Sequence, residues 1–178
     1  MSQEKIIVLD FGGQFNQLIA RRVREAGVYC EMLPCTQPVA SYADSSLKGV
    51  ILTGGPASVN VPNAPVCPKE VFSLGVPVLG ICYGTQLMAS LLGGSVTKDG
   101  FSEYGHADLT AQSHPLFADI PERSVVWMNH TDRVDVLPDG FSCIAKTKDC
   151  PIAAMANDEK RLYGVQFHPC LLYTSRCV

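Results

Sequence analysis

Apolar runs in the first half of the chain predict buried strands. They lie at residues 6–10, which end in Asp10, at 49–52, and at 76–81, where Gly75 and Pro77 form a Gly-x-Pro breaker. Residues 29–33, which include Glu31, are a further predicted strand. Strands covered on both faces of a parallel sheet carry continuous apolar stretches instead of polar–apolar alternation. These runs therefore predict the centre of a parallel sheet.

Helical periodicity separates the strands. It is clear at 16–26 and in the segment after residue 82, where four apolar residues recur at three-to-four spacing before Gly93 and Gly94 end the helix: Leu87, Met88, Leu91 and Leu92. A weaker helix is predicted at 39–47 and a short one at 67–74. Strands that alternate with helices indicate a doubly wound α/β fold.

The pattern changes after Gly94. Short, turn-bounded strand candidates follow at 95–97, 104–111, 124–128, 134–136, 142–146, 152–155 and 162–167. We expect antiparallel additions to the sheet and a small antiparallel side sheet. The predicted fold is a mostly parallel central sheet with helices on both faces plus that side sheet, in one domain.

Composition narrows the range of expected partners, metals and cellular compartments. The 178 residues are 47% hydrophobic and 17% charged, with a net charge of -3 and no basic cluster, so neither nucleic acid nor a membrane is an expected partner. The N-terminus shows no signal-peptide pattern. The eight cysteines form no Cys-x-x-Cys pair and fit no zinc spacing, so we expect free thiols, no metal and a cytoplasmic protein.

The junction between the fourth strand and its helix carries candidate chemistry. Cys82 lies there, with Gly80 and Gly84 two residues to either side. This is the thiol form of a nucleophile elbow, in which a sharp turn lifts a reactive atom above the end of a sheet. The glycines avoid collisions of a Cβ with neighbouring elements. A helix N-terminus favours an anion, so we expect a thiolate.

A second loop should face the same crevice. Thr53, Gly54 and Gly55 follow the third strand, and ligands of open α/β sheets bind beyond the carboxyl ends of the strands. The N–H groups of Gly55 and Tyr83 would then form an oxyanion hole. A phosphate loop at 11–14 is disfavoured because the Gly-x-Gly-x-x-Gly pattern is absent.

A thiol nucleophile needs a general base. His106 and His114 are predicted at the surface, in a polar strand and a His-Pro turn. His168 follows the last strand and His130 lies in a polar turn, and both stay candidates, with His168 the better placed.

Three motifs, in order, resemble class I (triad) glutamine amidotransferases: Thr-Gly-Gly-Pro-x-Ser, Gly-Ile-Cys-Tyr-Gly-x-Gln and Gly-Val-Gln-Phe-His-Pro. The opening Val-Leu-Asp-Phe-Gly-Gly-Gln and the turn Trp-Met-Asn-His-Thr-Asp resemble, more narrowly, the glutaminase domains of GMP synthetases. The resemblance runs from Lys5 to Pro169.

The resemblance implies a mechanism. Cys82 attacks the side-chain amide of glutamine, Gly55 and Tyr83 hold the oxyanion, and His168 is the base, while four residues hold the amino-acid end of the substrate: Gln86, Asn129, His130 and Thr131. No cofactor is implied for this domain. The ammonia would pass to an ATP-pyrophosphatase (synthetase) domain, absent from these residues, which uses ATP and magnesium to aminate XMP.

The sequence departs from the family after Pro169. The family has glutamate at the position of Cys170, where it orients the histidine, and a neutral thiol cannot replace a carboxylate. We expect the domain to span 1–169, with 170–178 a non-native tail, and hydrolysis to be weakened. Alternatives are the glutaminase subunit of another amidotransferase and a catalytically silent module that binds glutamine or a partner. Ser102, where the family usually has arginine, puts one local ion pair in doubt.

Overall fold

A computed structural model describes residues 3–98 and 102–171 of the chain. The first half of the described chain alternates strands with helices: β1 (Lys5–Asp10), α1 (Asn16–Glu25), β2 (Cys30–Pro34), β3 (Leu47–Leu52), β4 (Val78–Ile81) and α2 (Tyr83–Leu91). The second half is almost entirely strand: β5 (Ser95–Thr97), β6 (Glu103–Ala111), β7 (Arg123–His130), β8 (Arg133–Val136), β9 (Ser142–Lys146), β10 (Ala154–Asn157) and β11 (Leu162–Val165).

One large sheet organises the described residues, in the strand order β2-β1-β3-β4-β11-β10-β9-β6-β7. The first five strands in this order, β2, β1, β3, β4 and β11, are parallel to one another. The other four continue the sheet with antiparallel pairing. A separate antiparallel pair joins β5 to β8. The predicted fold class is confirmed, including the side sheet.

Apolar side chains cover both faces of the sheet. Ile7 and Leu9 belong to one buried cluster and Val8 to the other, as expected when successive side chains of a strand point to opposite faces. Helix α2 contributes Met88 to the first cluster, and α1 contributes Ile19 to the second. The helices therefore lie on opposite faces.

One of the two weaker helix predictions is wrong, and the other is confirmed as a 3-10 helix. The segment 39–47 forms only a 3-10 turn at Val39–Ser41, because Asp44 accepts a 2.8 Å hydrogen bond from the N–H of Ser46 and turns the chain into β3. Short polar side chains such as that of Asp44 compete for backbone groups that a helix needs. The short helix predicted at 67–74 is present as a 3-10 helix at Lys69–Ser73.

His114 is also not at the surface as predicted. Its side chain is 9% exposed, and Nε2 lies 3.1 Å from a carboxylate oxygen of Asp158. The imidazole accepts the Leu116 N–H through Nδ1 and packs edge-on against Tyr163, so it has a structural role in the His-Pro turn. His106 is exposed, as predicted.

The cysteines of the described residues are all free, as the sequence predicted. Among these residues, no helix is long and apolar enough to cross a membrane.

Candidate active site

Cys82 lies at the junction of β4 and α2 with φ 51° and ψ −107°, in the left-handed region of the backbone. A Cβ on Gly80 would lie 2.7 Å from the carbonyl carbon of Gly84, and one on Gly84 would lie 2.7 Å from the Cβ of Leu52. The predicted reason for both glycines is thus confirmed: β3, β4 and α2 meet too closely for side chains there. The sharp turn leaves Cys82 at the carboxyl end of β4, where it lines a cavity.

His168 and Cys82 meet at Gly54. A Cβ built on Gly54 would lie 3.2 Å from Cε1 of His168 and 3.6 Å from the Cβ of Cys82. Both side chains line a cavity of about 310 Å³ at the carboxyl ends of the parallel strands. β11 places His168 there because it pairs with β4 along its whole length.

The environment of the sulfur does not favour the expected thiolate. Cys82 is 5% exposed, and burial raises the pKa of its thiol to about 11 against the opposing effect of the Tyr83 N–H. Sγ lies 3.7 Å from the carbonyl oxygen of Asn129, to which it donates, and Gln166 Nε2 donates to Sγ over 3.5 Å. The effect of desolvation on the thiol pKa therefore outweighs that of the helix N-terminus, and the resting form of Cys82 is a thiol.

His168 is a buried, neutral imidazole. It is 5% exposed, and burial, with a smaller contribution from His130, lowers its pKa to about 4. Neither ring nitrogen has a hydrogen-bond partner, while the ring packs edge-on against Phe15 with centroids 5.4 Å apart. A neutral ring with a free nitrogen can accept a proton.

Cys170 does not orient that ring. Its side chain is buried in the apolar cluster that also holds Ile19, Ala20 and Phe167, and burial raises the pKa of its thiol. Because both nitrogens of His168 are unpartnered, no described residue fixes the tautomer of the imidazole.

The loops after β1 and β3 form one wall of the cavity. Gly55 lines it, and a Cβ there would lie 2.7 Å from the carbonyl oxygen of Phe11. The hydroxyl of Thr53 accepts the N–H of Phe11 over 3.1 Å and so joins the two loops. This close approach of two backbones explains why glycine occupies position 55.

A second part of the lining comes from α2, the end of β7 and the turn that follows it, and contains Gln86, Asn129, His130 and Thr131. Gln86 Nε2 donates to the carbonyl oxygen of Asp132 over 2.7 Å. Both ring nitrogens of His130 have nearby acceptors: Nδ1 is 3.1 Å from the same carbonyl and Nε2 is 3.3 Å from Glu103. His130 is thus occupied by internal contacts, whereas His168 is unpartnered beside Cys82.

The model of the class-I glutamine amidotransferase family matches residues 7–174. The chain belongs to this family. It is 54% identical to a GMP synthase (glutamine-hydrolysing) of Caldicellulosiruptor saccharolyticus over 98% of its own length and 34% of the relative's. It is 55% identical to the GMP synthase of Acetivibrio thermocellus over 99% of its length and 35% of the relative's. The amidotransferase therefore spans about a third of these curated relatives.

Solved structures agree with this assignment. A protein of Thermoplasma acidophilum, described as a candidate subunit of GMP synthase, superposes with a TM-score of 0.82 and 28% identity, covering 96% of this chain and 86% of that one. A glutamine amidotransferase of Thermotoga maritima superposes with a TM-score of 0.69 and 21% identity, covering 94% of this chain and 76% of that one, and shows the fold alone.

Sequence reasoning missed several residues of this amidotransferase site. Gln166 and Asp132 lie inside motifs that the sequence singled out, but they were not predicted as site residues. Gly12 and Gly13 line the cavity too, although their loop was considered only for phosphate. Its position after the central strand could have placed it at the crevice.

Among the described residues, one group has the ligand types for a metal: Glu103, His130 and Cys150, whose ligand atoms lie within 4.8 Å of one another. Those atoms already have internal partners. Glu103 accepts from Thr147 over 2.9 Å, and Cys150 Sγ donates to the carbonyl oxygen of Ile152 over 3.4 Å. The contacts account for the cluster without an ion.

Proposed function

We propose that this amidotransferase hydrolyses glutamine to glutamate and ammonia, with Cys82 as nucleophile and His168 as base. The observation that carries the proposal is the convergence of the two side chains at Gly54, in a cavity at the carboxyl ends of the parallel strands. A Cys–His pair in a shared cavity is the arrangement that nucleophilic acyl transfer requires.

The reaction begins from a thiol and a neutral imidazole. As Sγ attacks the side-chain amide carbon, its proton moves to His168, and the N–H groups of Gly55 and Tyr83 hold the oxyanion. His168 then protonates the leaving ammonia, and the glutamyl thioester forms. His168 next takes a proton from water, which attacks the thioester and releases glutamate and the thiol.

Turnover should be slow, because Cys170 replaces the carboxylate that would orient His168. In an unrelated Ser-His-Asp triad, replacement of the carboxylate lowers kcat about 10⁴-fold. A cysteine nucleophile needs less assistance, so the loss should be smaller here.

Ammonia release from glutamine tests the proposal. We expect slow release by the unmodified chain and none by Cys82→Ala, with unchanged far-ultraviolet circular dichroism as the folding control. Release that survives Cys82→Ala would reject the thioester route.

The destination of the ammonia is proposed from the relatives. The region that matches this chain makes up about a third of the length of its GMP synthase relatives, so two thirds of each relative lies outside it. We propose that a synthetase domain or subunit, with ATP and magnesium, uses the ammonia to convert XMP to GMP. Stimulation of hydrolysis by the synthetase part of a GMP synthase would support this, and stimulation only by another synthetase would assign the chain to a different amidotransferase.

A second candidate is a module that binds glutamine without turnover. The unpartnered ring of His168 and the neutral thiol at Cys170 favour it. A glutamine-like electrophile separates the candidates: covalent capture at Cys82 requires a reactive sulfur, which binding alone does not.

A further inference from the structure

One hydrogen-bond donor to the proposed nucleophile has no part in the mechanism above. Gln166 Nε2 donates to Sγ of Cys82 over 3.5 Å, and the glutamine is fully buried, with 0% exposure. Gln166 directly follows β11, and its backbone N–H donates to the carbonyl oxygen of Ala153 over 2.8 Å. The sheet therefore fixes the backbone from which this side chain reaches the sulfur.

The direction of this hydrogen bond is set by two amides in series. A backbone carbonyl oxygen can only accept, and that of Asp132 accepts from Gln86 Nε2 over 2.7 Å. The same nitrogen donates to Oε1 of Gln166 over 3.1 Å. Reversing either amide would set two acceptors or two donors against each other. With its oxygen towards Gln86, the amide of Gln166 therefore presents its N–H to the sulfur.

These contacts also give Gln86 a function within the protein. Both hydrogens of its Nε2 have internal acceptors, one on Asp132 and one on Gln166. Gln86 is 3% exposed, so its side chain is shielded from water along with the amide that it contacts. It orients Gln166, besides the contact with substrate that the family resemblance implies.

A donor at the sulfur favours the anion over the thiol. A thiolate is a much better acceptor than a neutral thiol, so the hydrogen bond from Gln166 strengthens as the proton leaves Sγ. Gln166 and the N–H of Tyr83 both lower the pKa of the Cys82 thiol, against the larger effect of burial. Because the sulfur is shielded from water, these donors replace the hydration that an exposed thiolate would have.

We propose that Gln166 is a further catalytic residue, whose side-chain amide stabilises the anionic sulfur of Cys82, and that Gln86 is the positioning residue that orients this amide. The amide donates a hydrogen bond throughout and transfers no proton. The proton of Sγ goes to His168, and the negative charge that develops on sulfur passes to the substrate oxygen as the C–S bond forms. The assignment rests on the function proposed above.

Alkylation by iodoacetamide tests the assignment without glutamine. This neutral reagent reacts with thiolate, so its rate at Cys82 between pH 7 and 9, followed by peptide mass spectrometry, reports ionisation of the sulfur. Gln166→Met removes the donor and keeps a side chain of similar length. We expect the rate to fall about 3- to 10-fold, since a roughly 10- to 100-fold smaller thiolate fraction is partly offset by the greater nucleophilicity of a more basic sulfur.

Two further variants separate the donor from other effects. Gln86→Leu removes the contact that orients Gln166 but leaves the side chain at the sulfur unchanged, so a fall of about 2- to 5-fold cannot come from blocked access. Thr85→Val is the matched control, because this buried side chain donates to the carbonyl oxygens of Gly80 and Val165 and not to the sulfur. Its rate should equal that of the unmodified chain.

Unfolding is recognised in the same samples because it changes the rates in the opposite direction. Cys67 and Cys150 are also buried, and opening of the chain would raise their labelling together with that of Cys82. If Gln166→Met opens the chain in this way, Gln86→Leu decides.

Unchanged labelling of Cys82 in Gln166→Met, or an equal fall in Thr85→Val, would overturn the proposal. Labelling needs no turnover, so the two proposals fail separately. The selective fall together with no ammonia release from glutamine would reject hydrolysis while supporting the hydrogen bond to the thiolate. Ammonia release together with unchanged labelling would reject the role of Gln166 and leave hydrolysis standing.

Discussion

At the scale of single residues, Cys82 has a backbone conformation that ordinary side chains rarely adopt. Such conformations cost about 1–3 kcal/mol and persist where the surroundings determine them. Here the N–H of Cys82 donates to Val165 over 2.8 Å, and its carbonyl accepts from Thr85 and Gln86 over 3.0 and 3.2 Å. β11 and α2 therefore jointly hold the backbone of Cys82 in this conformation.

Cys170→Glu should increase glutamine hydrolysis. A carboxylate beside His168 would accept a hydrogen bond from one ring N–H and stabilise the imidazolium that forms during attack. We expect kcat to rise by about 10²- to 10⁴-fold, measured as ammonia release at saturating glutamine.

Cys170→Gln is the matched control, because it supplies a side chain of similar size without the charge. An equal rise in both variants would attribute the gain to packing. Cys82→Ala added to Cys170→Glu should abolish the activity.

His168 should make the protein less stable in acid. Its pKa is about 4 in the folded chain against 6.5 for an ordinary histidine, so between these values the unfolded state binds more protons. The stability associated with the neutral ring is complete above pH 6.5 and is lost as the pH falls towards 4. The loss of unfolding free energy is about 2.5 kcal/mol at pH 4.5.

Urea unfolding at pH 7.5 and 4.5 measures this effect by comparison with His168→Asn, in which the other titrating groups are retained. The free energy of unfolding should fall further for the unmodified chain. An identical decrease in both proteins would show that His168 has no such effect.

At the scale of elements, strands were easier to predict than short helices. β1 and β3 are continuous apolar runs buried on both faces, so burial and local sequence agree. The segment at 39–47 had weak helical periodicity, and the side-chain bond of Asp44 to Ser46 prevailed. The ionisation state of Cys82 was also mispredicted. Burial raises the pKa of its thiol, and that burial depends on strands that are distant in the sequence.

Gly84→Ala should separate α2 from β3. The added Cβ would meet the Cβ and the carbonyl oxygen of Leu52, and both belong to a central strand that cannot move away. We expect the free energy of unfolding to fall by about 3 kcal/mol, as measured with urea, and labelling of Cys82 to be lost.

Gly49→Ala is the control, since this glycine is also buried against its neighbours in the sheet, yet its added Cβ would lie 3.4 Å from the nearest atom. Its effect should stay below about 1 kcal/mol. Similar losses in both variants would show that close approach at the elbow is not the cause.

At the scale of the whole molecule, the last described strand lies inside the sheet. β11 pairs with β4 on one side and β10 on the other, and so joins the parallel part to the antiparallel part. Thr85 reinforces this junction by donating to the carbonyl oxygens of Gly80 and Val165. Such distant pairing cannot be read from local patterns.

A fragment that ends at Asn157 should not unfold cooperatively. Without β11, β4 and β10 each lose a neighbour, and the two parts of the sheet are no longer joined. Urea titration followed by circular dichroism should give a broad transition for this fragment and a sigmoidal one for a fragment that ends at Leu171. A sharp transition at the same midpoint in both would contradict the prediction.

The central place of β11 also sets the order in which the protein becomes reactive. A ribosome makes the cysteine well before it makes the histidine, and the histidine reaches the sulfur only when the sheet closes around the final strand. A nascent or stalled polypeptide that lacks β11 therefore carries Cys82 without His168 beside it. On the proposed function, glutamine would be consumed only after β11 has joined the sheet.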